Sequence, residues 1–356
     1  MGAAGVLPLA LSGCRASGAG GGHAAASGAG AGQTGGSSRQ RGVADPQPPH
    51  ALLLAYDVEP VPRGTPAPAR RLRLLLGQWQ EAVRAAAGGQ LTVTIAFGPR
   101  ALVHLGGAVP PLLRQLPPFA REDLDPAAGE GDLLVQICGR TAAGCGAAGA
   151  AVEETARDVV RRRWKQHGFV PPSPPGAAPR NLLGFKDGTA NPGAREAERW
   201  VWLTHGPYAG GCYLVLRRIR LHTDAFRALP LRRQEEIIGR RRDTGGPLEG
   251  GPEHQEVDLF AKTPEGRYIL PADAHVRLAH SRYDGGARML RRGYSYDNGP
   301  HDRGLLFLAY MNDPQLFVRV QRRLAAADSL TAYTETFASG VYFVPPADVL
   351  AAKARS

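Results

Sequence analysis

The feature that most constrains this chain is a pattern that occurs twice: an apolar strand, an amphipathic helix, further strands and a second helix. His50 to Tyr56 is apolar almost throughout, as expected of a strand buried on both faces. From Arg70 to Ala87, residues Leu72, Leu75, Leu76, Trp79 and Val83 recur at helical spacing. Gln90 to Ala96 alternates as a strand, and Asp132 to Cys138 reads as another. Val152, Ala156, Val159, Val160 and Trp164 then step along one face, which predicts a helix over 152–164.

Beyond a loop from Pro171 to Pro192 the pattern returns. Gly211 to Arg220 is a strand, and Asp224 to Arg241 a helix with Phe226, Leu229 and Ile237 inward. Gly304 to Tyr310 is a strand, Leu316 to Ala326 a helix carrying Leu316, Val320 and Leu324 on one side, and Gly340 to Val344 the last strand. The expected architecture is α+β, with two ferredoxin-like halves. The insertion ahead of Gly304 exceeds the usual connection length, which points to function there.

Composition narrows the classes. With 356 residues, 43% hydrophobic, the chain can bury two cores. No run of 18 apolar residues occurs, so no membrane-spanning helix is expected. The net charge of +11 suggests a polyanion partner, but only four of the 43 basic residues are lysines, the mark of a GC-rich genome. The basic residues are scattered without interleaved aromatics, which argues against nucleic acid. The densest cluster, Arg161 to Lys165, reads as a solvated helix face. Cys14, Cys138, Cys145 and Cys212 form no CxxC or CxxCH, which excludes covalent haem attachment, structural zinc and a disulfide framework.

Residues 1–49 read as a separate object. Met1 to Gly13 is apolar, and the small residues before Cys14 look like a signal-peptide end or a lipoprotein box with a lipid anchor at Cys14. From Arg15 to about His50 the Gly/Ala/Ser-rich chain is expected to be a flexible tether. Gly30 to Gly35 matches GxGxxG in letters only, because no strand precedes it.

Two segments concentrate chemistry. In Gly184-Phe-Lys-Asp187-Gly188-Thr189-Ala190-Asn191-Pro192, flanking glycines let an acid project from a loop, although Asp-Gly also suits a plain turn. The other runs from Asp273-Ala-His275-Val-Arg277 through His280-Ser281-Arg282 to Leu290-Arg291-Arg292-Gly-Tyr294-Ser-Tyr296. Histidines among arginines suit either an anion site or a metal site. Trp200-Val-Trp202, at strand spacing, reads as packing.

In this order, the GxxDG stretch at Gly184–Gly188, the Ala274-His275-Val-Arg277 stretch and the Leu290–Tyr296 stretch resemble the dye-decolourising peroxidases. Tyr213–Arg220, Ile238-Gly-Arg240 and Gly304–Tyr310 support the resemblance, which covers roughly 50–350. The branch is the exported, twin-arginine-dependent one that includes iron-transport-associated deferrochelatase-peroxidases. The resemblance implies a dimeric α+β barrel within one chain, its halves at 50–200 and 201–356. It implies one non-covalent haem b per chain, with His275 as proximal iron ligand and Asp313 as that ligand's hydrogen-bond partner. Asp187 would carry a proton as base and then acid, and Arg291 would hold the peroxide anion. Gly188, Thr189 and Ala190 would pass the haem edge, and Arg240 and Arg282 would meet its propionates. His280-Ser281 stands where the family has Asn-Pro, which adds a second histidine to the cofactor-lining set.

The implied activity reduces hydrogen peroxide and oxidises dyes, phenolics or similar small organic donors. The alternative is deferrochelatase-like haem and iron handling with iron-transport partners; a basic binding protein has only net charge in its favour. A homodimer agrees with the family. Export by the twin-arginine route is expected, with the true start upstream of Met1.

Overall fold

The first strand settles the architecture, because its two faces enter two different cores. The computed structural model describes residues 39–59, 68–87, 90–174 and 176–350. Met1–Gly13, Cys14 and Gly30–Gly35 lie outside them. In β1 (His50–Val58), Leu52, Leu54 and Tyr56 pack against Leu72, Leu75, Leu76 and Trp79 of α1 (Pro68–Ala87). Ala51, Leu53 and Ala55 of the same strand face a second cluster with Leu214, Leu306, Leu308 and Tyr342. A strand apolar on both faces is what such a position demands.

The first half continues with β2 (Thr92–Phe97), α2 (Pro99–His104), β3 (Leu133–Gly139), α3 (Ala142–Ala156) and β4 (Val160–Phe169). After α4 (Ala194–Trp200), the second half runs β5 (Cys212–Leu221), α5 (Thr223–Arg227), α6 (Leu231–Ile238), α7 (His275–Leu278), β6 (Leu290–Asp297), β7 (Arg303–Met311), α8 (Gln315–Ala327) and β8 (Thr334–Val344). The eight antiparallel strands close in the order β1-β3-β2-β8-β5-β7-β6-β4. Each half has the same internal order: β4-β1-β3-β2, then β8-β5-β7-β6. They meet where Phe97 pairs with Phe343 and Phe169 with Ser295.

Several expectations are corrected. The helix expected over 152–164 ends at Ala156, where Asp158 takes a left-handed φ of 65°, and Val160–Phe169 is a strand with alternating burial. β-Branched Val160, which opens the strand, suits that pleat. The basic cluster therefore lies on β4, not on a helix. Its charges are met there: Arg161 by Asp57 and Glu59 (3.0 and 3.2 Å), Arg163 by Asp57 (3.1 Å), and Arg162 and Lys165 by Glu153. The expected 224–241 helix is two, broken before Leu231 by Pro230, which cannot continue a helix from its predecessor. Trp200 ends α4 rather than lying in a strand, while Trp202 is buried beside Arg39. The stretch around Arg291 and Tyr294 is strand β6.

Residues 39–49 are a strap, not a tether. Gln40 pairs with a strand edge through its side-chain amide, donating to Ile95 O (2.9 Å) and Pro345 O (3.0 Å) and accepting from Ile95 N (2.8 Å). Val43 is fully buried, and Arg292 donates to Val43 O and Asp45 O (3.2 and 2.5 Å). Specific polar pairing, not apolar content, orders this segment.

Gln40→Ala should leave Ile95 without its edge partner and lower stability by about 1–3 kcal/mol. Urea unfolding checks this: the midpoint should fall with the slope unchanged.

Candidate active site

The loop carrying Asp187 has no helix or strand of its own and is fixed by side chains. Gly184 and Gly188 take left-handed φ values of 92° and 86°, so the expected turn is formed. Asn181 Oδ1 accepts from Leu183 N and Phe185 N (3.0 and 3.2 Å). Glu253 reaches across to accept from Ala178 N (2.6 Å) and to pair with Lys186. Asp187 Oδ1 accepts from Gly188 N (2.7 Å). Asp187 lies against β6: a Cβ at Gly293 would stand 3.7 Å from Asp187 Oδ2, an ordinary contact, and a tighter 3.2 Å from Leu305.

The same loop grips β6 at Arg291. Asn191 Oδ1 accepts from Arg291 N (3.0 Å), and Asn191 Nδ2 donates to Arg291 O (2.8 Å). Asp187 and Arg291, about a hundred residues apart in sequence, are thereby tied to one piece of backbone.

His275 opens α7. That short helix is set by Arg277, which donates to Leu259 O and Leu270 O (2.6 and 3.0 Å). It nestles against Gly239, whose left-handed φ of 90° ends α6; a Cβ there would come within 2.4 Å of Val276. The His275 Nδ1 lies 2.7 Å from Asp328 Oδ2, and the Asp328 side chain is only 3% exposed. Burial works against the charged ring, but the charge and hydrogen bond of Asp328 outweigh it, so the His275 pKa lies above its ordinary value. Arg291, which opposes this shift, and Asp187, which adds to it, both lie within electrostatic reach of the ring. A third of the His275 side chain (33%) is open.

The partner of His275 is thus Asp328, not Asp313. Asp313 sits at the opposite end of α8, accepting from Gln315 N (2.9 Å), with Arg319 at 3.8 Å. The two carboxylates are separated by a 13-residue helix, about 20 Å at 1.5 Å per residue. Asp328 was not singled out in the sequence; in the structure its Oδ1 accepts from Leu330 N (2.9 Å), as a helix-start aspartate does.

His280 caps the turn Ser281–Asp284, its Nδ1 accepting from Arg282 N (3.1 Å), while Nε2 faces Glu256 at 3.3 Å. Burial, with Arg288, Arg282 and Arg240 nearby, holds its pKa below the usual value despite Glu256. Ser281 O anchors the same turn, accepting from Gly286 N (2.9 Å). Arg282 is exposed and lies over the Phe260 ring at 5.0 Å. Arg240 is committed to carbonyls of Gly245, Glu253 and Gln255 (2.9, 3.0 and 2.9 Å), so it ties a loop. Arg240 is thus engaged by backbone carbonyls, while the Arg282 side chain lies on an exposed ring. Thr189 is half-buried and Ala190 exposed on the Asp187 loop.

Among the described residues, no three His, Cys, Asp or Glu side chains group closely enough to hold a bare metal ion. A lone imidazole anchored through Nδ1 suits instead an iron whose equatorial ligands come from a porphyrin. An eight-strand α+β fold with such a histidine, and with an acid and an arginine brought near it, defines the class: a haem peroxidase.

The comparisons specify the family. The C-terminal Dyp-type peroxidase model matches residues 178–349, and the N-terminal one 40–170. A dye-decolorizing peroxidase of Thermobifida fusca is 36% identical, covering 86% of this chain and 81% of that protein. A deferrochelatase of Yersinia pseudotuberculosis is also 36% identical, over 72% of this chain but only 64% of its own length. The oxyferrous complex of DtpA from Streptomyces lividans superposes with a TM-score of 0.79 at 34% identity, covering 87% of this chain and 92% of that one. The chain belongs to the Dyp-type peroxidase family.

Glu253 offers a direct test of how the Asp187 loop is held. The Lys186 hydrogen bond, followed by that from Ala178 N, keeps its pKa below the ordinary carboxylate range against burial. The stabilisation is therefore present above the unfolded-state value of about 4.3 and is lost as pH falls through the lower folded-state value. Glu253→Gln should cost about 1–3 kcal/mol at pH 7 and flatten the fall in stability below pH ~4, as read by thermal melts across pH.

Proposed function

We propose that the chain is a haem b peroxidase, one non-covalent haem per chain, that reduces hydrogen peroxide and oxidises dyes, phenolics or similar small organic donors. The observation that carries this reading is His275 fixed by Asp328 with Asp187 and Arg291 in electrostatic reach. Haem, when bound, supplies the iron at which the peroxide oxygen–oxygen bond is cleaved and the electrons for that cleavage. His275 would hold that iron through Nε2, because Nδ1 is committed to Asp328. The carboxylate keeps the ring oriented and makes it a stronger donor.

Asp187 would take the proton from the nearer peroxide oxygen and return it to the leaving oxygen. The Gly188 N–H on its Oδ1 fixes the carboxylate for both transfers. Arg291 would stabilise the peroxide anion with a charge that no working pH removes. Asn191 keeps that arginine's backbone in register with the Asp187 loop, which supports reading the two as one site.

The repeated strand order supports reading the chain as two ferredoxin-like halves forming a dimeric α+β barrel. The deferrochelatase relatives favour a second reading, haem and iron handling, whose sign would be iron release with the porphyrin intact. Export by the twin-arginine route, a lipid on Cys14, a homodimer and iron-transport partners belong to this proposal on sequence and family grounds.

Mutants separate these readings. His275→Ala should lose the five-coordinate ferric spectrum and most haem affinity, whereas His280→Ala keeps both; the reverse outcome overturns the ligand assignment. In stopped-flow mixing with peroxide, Asp187→Asn should react about 10²–10⁴-fold more slowly. Arg291→Leu should react about 10²–10³-fold more slowly. Both should retain haem; wild-type rates in both would favour haem handling.

A further inference from the structure

Behind the Asp328 turn lies a cavity of about 370 Å³ that the peroxidase reading does not use. Its wall is made by the end of α8 and the turn after it, from Ala325 to Ser329 and from Thr331 to Tyr333, with Ile237 of α6. Arg121 and Arg233 enter it from two other parts of the chain.

Arg121 holds a left-handed φ of 63°, a backbone state that is costly for a non-glycine residue to keep. Its Nη1 donates to Thr331 Oγ1 at 2.9 Å, and among the described residues no carboxylate lies within ion-pair distance of it. Thr331 Oγ1 donates in turn to Asp328 O (2.6 Å), which aims the hydroxyl. Arg233 is only loosely engaged: Ser329 Oγ at 3.4 Å, Glu236 at 3.7 Å and Asp273 at 3.9 Å. Ser329 is positioned by its bond to Asp273. The cavity thus brings together two guanidinium groups, one of them without an acidic partner among the described residues; the Ser329 and Thr331 hydroxyls give their protons to Asp273 and Asp328 O and serve to aim those guanidinium groups.

We propose that this cavity is a binding site for a small hydrophilic oxyanion, a polycarboxylate or a phosphate, distinct from the His275 site. Guanidinium donors match carboxylate and phosphate oxygens in pairs. The volume lies within the range of small-molecule sites. The anion would complete the charge of Arg121 and draw Arg233 from its long contacts with Glu236 and Asp273. Because the site's wall is the turn that carries Asp328, occupancy would stiffen the support of His275.

Calorimetric titration of the purified, haem-loaded protein with citrate and, separately, inorganic phosphate tests this, with chloride at matched ionic strength as control. Saturable binding of one of the two is expected, and the arm that saturates identifies the source. Arg121→Gly suits the left-handed backbone, so the fold is kept while the guanidinium is removed. It should weaken binding roughly ten- to hundredfold. Arg233→Gln should weaken it as well. No saturation by either probe, equal heats from chloride, or unchanged affinity in Arg121→Gly would each overturn the proposal. A protein that fails as a peroxidase but binds the anion through Arg121 leaves it standing.

Discussion

The bond between His275 and Asp328 depends on α8, and much of the site depends on that helix in turn. The helix and the turn after it hold the His275 segment at four points. Asp328 meets the ring (2.7 Å), and Ser329 N donates to Asp273 O (3.1 Å). Arg323 donates to Leu278 O (3.0 Å), and Arg319 and Arg323 both pair with Asp284, whose side chain is fully buried (3.0 and 2.5 Å). A four-residue helix such as α7 has almost no stability of its own. Its position is borrowed from α8, which is fixed through Leu316 and Phe317 against Val215 and Met311 of the sheet. A buried carboxylate without its partner would be costly, so the pair resists being pulled apart.

The other side of the site is built differently. Asp187 lies on a loop without regular structure, held by Glu253 from one direction and by Asn191 from another. The strand it meets, β6, is itself stabilised by Arg292, whose guanidinium reaches into the strap at Val43 and Asp45. The N-terminal strap, the acid loop and the arginine strand form one connected set of hydrogen bonds. Rigid support of this kind holds a loop and a strand that are far apart in sequence in one fixed arrangement.

The elements that sequence exposed most clearly were those decided by apolar pattern. β1 and α1 announce themselves because their faces enter large cores. The 152–164 stretch misled because helical spacing of Val152, Ala156, Val160 and Trp164 also satisfies a helix followed by an alternating strand; only the left-handed Asp158 divides them. Residues 39–49 looked unstructured because their order rests on Gln40 and Arg292, polar contacts that composition does not reveal. In the site, His275, Asp187 and Arg291 were legible as motifs. Asp328 was not, because it is brought to His275 by tertiary packing, and Asp313 at the other end of α8 stood in a more suggestive context. Arg240 and Arg282 were named on the resemblance; in the structure one donates to loop carbonyls and the other lies on an exposed ring.

The central claim is that His275 holds haem iron and that Asp328 sets its donor strength. The most direct measurement is the iron–imidazole stretching mode, read by resonance Raman spectroscopy on the ferrous, haem-loaded protein. Asp328→Asn should move that mode to lower frequency, because an amide withdraws the negative charge that strengthens the ligand. Asp313→Asn should leave it unchanged. An unshifted mode in Asp328→Asn, or a shift produced by Asp313→Asn, would contradict the account.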